Sequence, residues 1–126
     1  SVPERLPIKH ALFAEIEPVM DKDAVLASSA SGLTLGQMQG GWTDPSRMVL
    51  GHPFNPPHLV PLVEVYGPDP QVLDWAEGFY RSLGSAPVRL KKDAVGHIAN
   101  RLSSALWREA VSLVENGIVM LRPWTK

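Results

Sequence analysis

The sequence contains no cysteine. That excludes a disulfide framework, a thiolate nucleophile and any thiolate metal site, and it fits a reducing, cytoplasmic setting. No run approaches the ~18 consecutive apolar residues of a membrane span. The start, Ser1-Val2-Pro3-Glu4-Arg5, lacks the charged-then-apolar order of a secretory leader. Charge of one sign is also missing: the formal net charge is −1 and the basic residues are scattered, so no footprint for nucleic acid or for an anionic membrane is expected. The four histidines, His10, His52, His58 and His97, show neither the i, i+4 pair of a helical metal site nor a carboxylate-rich neighbourhood, and no metal is expected. A Gly-x-Ser-x-Gly elbow and a Walker-type phosphate loop are absent as well.

Proline is what the chain has in quantity, twelve in all. Four of them, at 53, 56, 57 and 61, fall between Gly51 and Val65. Proline fixes φ and has no N–H, so this stretch continues neither as a helix nor as a central strand. Apolar runs flank it, Met48-Val49-Leu50 before and Leu62-Val63-Glu64-Val65 after. The pattern reads as a rigid loop with His52 at the tip of one strand and Glu64 in the next. A carboxylate on the far nitrogen of a histidine fixes its tautomer and raises its basicity, as a general acid or base requires. An ordinary loop histidine is the other reading of the same residues.

At 126 residues the chain is one domain's worth. Ile8, Leu12, Ile16, Val19 and Met20 recur at helical spacing and predict an amphipathic helix over 7–20, with Pro7 in its first turn. Lys9 there is either solvated or a phosphate or ribose contact. The run 24–27 has the form of a strand buried on both faces of a parallel sheet. It leads into Ser28-Ser29-Ala30-Ser31-Gly32, a plain polar loop or, at the carboxyl edge of a sheet, a ligand-binding one. A short helix over 34–39 and strands over 48–52 and 62–66 follow. Asp69 as N-cap, Pro70 at the first position and Gly84 past the end delimit a helix whose apolar stripe is Val72, Trp75, Ala76, Phe79 and Leu83. Residues 87–91 read as an edge strand. A second long helix over 98–118 has a broad stripe, Ile98, Leu102, Ala105, Leu106, Ala110, Leu113 and Val114, with Glu109 on it by angle. Nothing downstream covers that stripe, which favours self-association into a homodimer or higher oligomer.

Gly51-His52-Pro53-Phe54-Asn55-Pro56-Pro57, Leu62-Val63-Glu64-Val65, Gly96-His97-Ile98-Ala99-Asn100-Arg101-Leu102 and Arg108-Glu109-Ala110 stand in an order and spacing that resembles the NAD-dependent L-3-hydroxyacyl-CoA dehydrogenase family. Carnitine dehydrogenases and lambda-crystallin, an L-gulonate dehydrogenase, are among its relatives. The resemblance runs from about residue 3 to 118. It implies that His52 is the base that takes the proton from the substrate 3-hydroxyl and that Glu64 orients and charges it. It implies that Ser31 hydrogen-bonds the reacting oxygen, that Asn100 helps position it, and that Lys9 and Asn55, together with Ser31, contact NAD on its nicotinamide and ribose side. The family's Gly-x-Gly-x-x-Gly half is not found in this sequence, residues 120–126 follow no family pattern, and His97 stands where phenylalanine is commoner.

The expected fold is α/β: the carboxyl-terminal half of a Rossmann-type NAD-binding domain (1–93) and the first long helix of a helical, dimerising domain (94–126). The resemblance implies part of an oxidoreductase of fatty acid metabolism that oxidises a 3-hydroxyacyl-CoA or small 3-hydroxy acid with NAD. Without the phosphate-binding half, little activity is expected of this chain by itself. The rival expectation is a non-catalytic truncated homologue acting as an oligomerising or binding module.

Overall fold

The computed structural model describes residues 2–120, so the expectation for the tail at 121–126 lies outside the described residues. The chain forms helix α1 (Leu6–Ile16), strand β1 (Leu26–Ser28), helix α2 (Leu35–Gln39), strands β2 (Met48–Pro53) and β3 (Leu62–Tyr66), helix α3 (Pro70–Ser82), strand β4 (Ala86–Arg89) and helix α4 (Ala99–Glu115). The four strands make one sheet in the order β1-β2-β3-β4. The outer pairs are parallel, while β2 and β3 run antiparallel. The short proline-rich loop at 54–61 dictates that reversal, because a parallel neighbour needs a crossover of roughly a dozen residues or more.

Helices cover both faces of the sheet. On one, Phe13 of α1, Leu35 and Met38 of α2, Trp42 and Met48 form a buried cluster with Ala30. On the other, Val49, Val63 and Val65 pack under Leu73 and Ala76 of α3. The period of two along β2 and β3 decides which residue goes where.

Several elements depart from their sequence patterns. The first helix stops at Ile16 and becomes a 3₁₀ turn over Glu17–Val19, because Pro18 cannot donate to the carbonyl of Ala14. Its buried face runs through Leu6, Phe13, Ile16 and Met20, while Ile8 and Val19 are exposed. Strand β1 is an edge strand of this sheet, and Ala27 is exposed, not buried on both sides. Helix α3 has the expected Asp69 cap, whose carboxylate accepts from the N–H groups of Gln71 and Val72. It buries Leu73 and Ala76, with Val72 and Tyr80 packed alongside, whereas Trp75, Phe79 and Leu83 are exposed. Tyr80 finds its place at Gly51: an added Cβ would lie 1.9 Å from the Tyr80 hydroxyl oxygen, so glycine opens the space that the ring occupies. Outside, the Trp75 and Phe79 rings stack at 5.6 Å. Helix α4 ends at the left-handed Gly117 and leaves Leu102, Leu106, Trp107 and Val111 exposed. Glu109 is exposed as well. Among the described residues no helix is long and apolar enough to cross a membrane.

Candidate active site

Register brings the two candidate acid/base residues together. In the antiparallel β2–β3 pair, His52 stands directly opposite Glu64, so both side chains leave the same face of the sheet. Their flanking residues Gly51, Val63 and Val65 point to the α3 side. His52 Nδ1–H donates to Glu64 Oε2 at 2.9 Å, with Glu64 fully buried and His52 nearly so. The histidine lies within β2, not in the proline-rich loop.

The other Glu64 oxygen is taken by the start of α4. Oε1 accepts from the backbone N–H of Ile98 at 2.6 Å and of Ala99 at 2.9 Å. Helix N-termini carry unpaired N–H groups and a partial positive charge, so a carboxylate there is stabilised. Burial by itself pushes the Glu64 carboxyl up, but the Ala99 and Ile98 amides and His52 outweigh it, and its pKa sits below the ordinary value of 4.5. Glu64 is therefore ionised and acts only as an acceptor. That fixes the hydrogen of His52 on Nδ1 and leaves Nε2 as the free lone pair, the form a general base requires.

Ser31 lies in the turn after β1. Its backbone N–H donates to Glu4 Oε1 at 2.9 Å, and its carbonyl accepts from Gly96 N–H at 3.2 Å. Asn100 lies in the first turn of α4, one residue beyond the amides on Glu64, and lines a groove with Val95, Gly96 and Arg101. Lys9 lines a groove of about 280 Å³ with Glu4, Ser28, Ser29 and Ala30 at the carboxyl end of β1. Asn55 is exposed in the loop at 54–61 and makes no hydrogen bond among the described residues. The structure thus joins His52 to Glu64 directly and ties Ser31 to Gly96, which shares a groove with Asn100, whereas Lys9 and Asn55 make no hydrogen bond to the pair among the described residues.

Three residues of the site carry no sequence role of their own. Glu4 fastens Ser31 and Gly32. Asp93 accepts from the N–H groups of Leu35 and Gly36 at the start of α2. His97 lies buried against His52, with ring centroids 4.8 Å apart. Gly96 beside His97 was the available signal for the last; Glu4 and Asp93 act on amides distant in sequence and left none. No group of three or more metal-ligating side chains occurs among the described residues.

The groove beside Lys9 sets an ammonium, the Glu4 carboxylate and two serines beside the apolar Leu12 and Phe13 at the carboxyl edge of a parallel strand, where open α/β sheets bind ligands, and this mixed lining is compatible with one end of a dinucleotide.

The model of the 3-hydroxyacyl-CoA dehydrogenase NAD-binding domain matches residues 1–94. The chain is 46% identical over 120 residues to an L-carnitine dehydrogenase of Nocardiopsis dassonvillei, covering 93% of this chain and 36% of that protein. The chain thus spans little more than a third of that relative's length. Among solved structures it resembles a 5-formyl-3-hydroxy-2-methylpyridine 4-carboxylic acid 5-dehydrogenase, an NAD+-dependent dismutase, with TM-score 0.86 and 39% identity over 94% of this chain and 39% of that one. It also resembles the 3-hydroxyacyl-CoA dehydrogenase of Archaeoglobus fulgidus, with TM-score 0.77 and 31% identity over 96% of this chain and 41% of the other.

Proposed function

This chain belongs to the 3-hydroxyacyl-CoA dehydrogenase family through its NAD-binding domain, and on that premise we propose that it carries the proton-accepting half of an NAD-linked oxidation of a 3-hydroxy compound. The observation that carries the reading is the His52–Glu64 pair, with the tautomer of His52 fixed and its Nε2 free. In this reading His52 Nε2 takes the hydroxyl proton as the C3–H bond breaks. NAD, when bound, supplies the acceptor for the hydride. Ionised Glu64 stabilises the imidazolium that results, and the Ser31 hydroxyl and Asn100 amide hold the oxygen as it becomes a carbonyl. Lys9 and Asn55, with Ser31, meet the cofactor on its ribose and nicotinamide side. Substrates of this class are 3-hydroxyacyl-CoA thioesters and small 3-hydroxy acids, carnitine among them by likeness to the carnitine dehydrogenases.

Residues 1–93 form the NAD-binding unit in this proposal, and 94–126 open a helical unit that assembles as a homodimer or higher oligomer. The exposed Leu102, Leu106, Trp107 and Val111 of α4 support that assembly. They equally favour the second reading, a non-catalytic module that folds by self-association. A cytoplasmic setting agrees with the cysteine-free sequence.

NADH fluorescence titration of the chain separates the two readings. Saturable binding is the expected result for the enzyme reading, and whatever turnover of L-carnitine or a 3-hydroxyacyl-CoA accompanies it, little being expected of this chain by itself, should be lost in His52→Ala. No binding from an oligomeric chain would replace that reading with the assembly module.

A further inference from the structure

Immediately before α4 the backbone takes two left-handed residues in succession, Gly96 with φ +74° and His97 with φ +49°. Glycine adopts this region freely, but in a residue with a Cβ it costs on the order of 1–2 kcal/mol. Surrounding contacts hold it in place. His97 N–H bonds the Ala94 carbonyl, Gly96 N–H bonds the Ser31 carbonyl, and the next two amides sit on Glu64.

The turn drives the His97 ring into the core, where it is 2% exposed. Its Nε2 lies 3.1 Å from the Ala30 carbonyl. A carbonyl oxygen only accepts, so Nε2 carries the hydrogen. Its Nδ1 is buried with no partner among the described residues, and an unpaired buried polar atom costs about 1–3 kcal/mol. The ring lies 4.8 Å from that of His52, tilted by 58°. A histidine here is thus locally unfavourable on two counts, backbone and side chain. Local costs of this kind cluster at functional sites.

We infer that His97 is a positioning residue of the active site, tying the Ala30–Ser31 turn to the ring of His52 so that the Ser31 hydroxyl and His52 Nε2 address the same reacting oxygen. It acts through two contacts. The Nε2–H bond fixes the turn that carries Ser31, and the ring contact limits rotation of an imidazole whose other edge is already held by Glu64. The inference rests on the reading of His52 as the base.

Imidazole and amide NMR on the full 126-residue chain tests it, following the sheltered His52 Nδ1–H signal together with hydrogen exchange at Ser31 and Gly32. In His97→Phe the ring contact survives and the donor is lost. The His52 signal should persist while the Ser31 and Gly32 amides exchange about tenfold faster or more, as loss of one hydrogen bond of ~1.4 kcal/mol would give. His97→Gln carries an amide N–H donor at about the reach of the lost Nε2–H, so it should restore most of the protection. His97→Ala, if it folds, should disturb both signals. Loop protection that is unchanged in His97→Phe, or that falls equally in the Phe and Gln variants along with global stability, would overturn the inference. A His52 Nδ1–H signal missing from the wild type would instead overturn the base assignment, and the Ser31 and Gly32 arm would still decide the role of His97.

Discussion

Glu64 and Ala99, 35 residues apart in sequence, are joined by a hydrogen bond of 2.9 Å from the Ala99 amide to Glu64 Oε1, while the opposite oxygen of the same carboxylate holds His52. Orienting His52 and docking α4 are therefore tasks of one side chain. Glu64→Ala should strand two helix amides and the His52 N–H, and destabilise the chain by about 3–5 kcal/mol, at about 1–3 kcal/mol for each buried donor left unpaired. Glu64→Gln keeps one acceptor and should cost less, about 1–3 kcal/mol. Urea unfolding of the three proteins gives both numbers, and equal stability of wild type and Glu64→Ala would refute the shared anchor.

The direction of the Glu64 shift fixes a pH dependence. Its pKa is lower in the folded chain than the ordinary 4.5, so between those two values the unfolded chain holds a proton that the folded chain does not. Stability contributed by Glu64 is complete above about pH 4.5 and is lost as the pH falls through the folded-state value, at no more than about 1.4 kcal/mol per pH unit. Denaturation midpoints measured from neutral pH downward should decline more steeply for wild type than for Glu64→Gln. Parallel curves would show that Glu64 is not the group responsible.

Gly51 faces Tyr80 at a separation that admits no side chain. Gly51→Ala should displace α3 and cost about 1–3 kcal/mol, the usual range for overpacking. Tyr80→Phe removes the atom in closest conflict, so the double variant should recover part of the loss. Full additivity in a double-mutant cycle would mean that the two residues do not oppose each other.

The uncovered face of α4 gives a prediction on assembly. Leu106 is 73% exposed and Trp107 72%, and a patch of this kind calls for a partner. Light scattering should find wild type at least dimeric, and Leu106→Lys with Trp107→Lys shifted toward monomer. A wild-type monomer at every concentration would remove self-association.

His52 and Glu64 could be picked out as candidates from sequence because one loop joins the two apolar runs that carry them, but their contact could not, since it follows from the register of β2 against β3. The Asp69 cap, Pro70 and Gly84 likewise mark α3 by local chemistry alone. Which face of α3 is buried could not be read that way. Trp75 and Phe79 are the more apolar choice, yet Leu73 packs on the valines of β2 and β3 and Tyr80 turns toward the space left by Gly51 on a distant strand. The first helix misleads for a similar reason: Pro18 shortens it, and the buried anchor is Phe13, which lies off the stripe of Ile8, Leu12 and Val19. Glu4, Asp93 and His97 were hidden because their partners are backbone groups brought near by the fold.

The register of β2 against β3 has a consequence for chains that fold wrongly. A slip of one residue would send Glu64 to the face that now holds Val63 and Val65, and would carry those valines to the other side. His52 would lose its carboxylate, the start of α4 its anchor, and the core its two valines at once. A misaligned molecule would therefore lose stability and the His52–Glu64 pair together, so the pair exists only in chains that have paired their strands correctly.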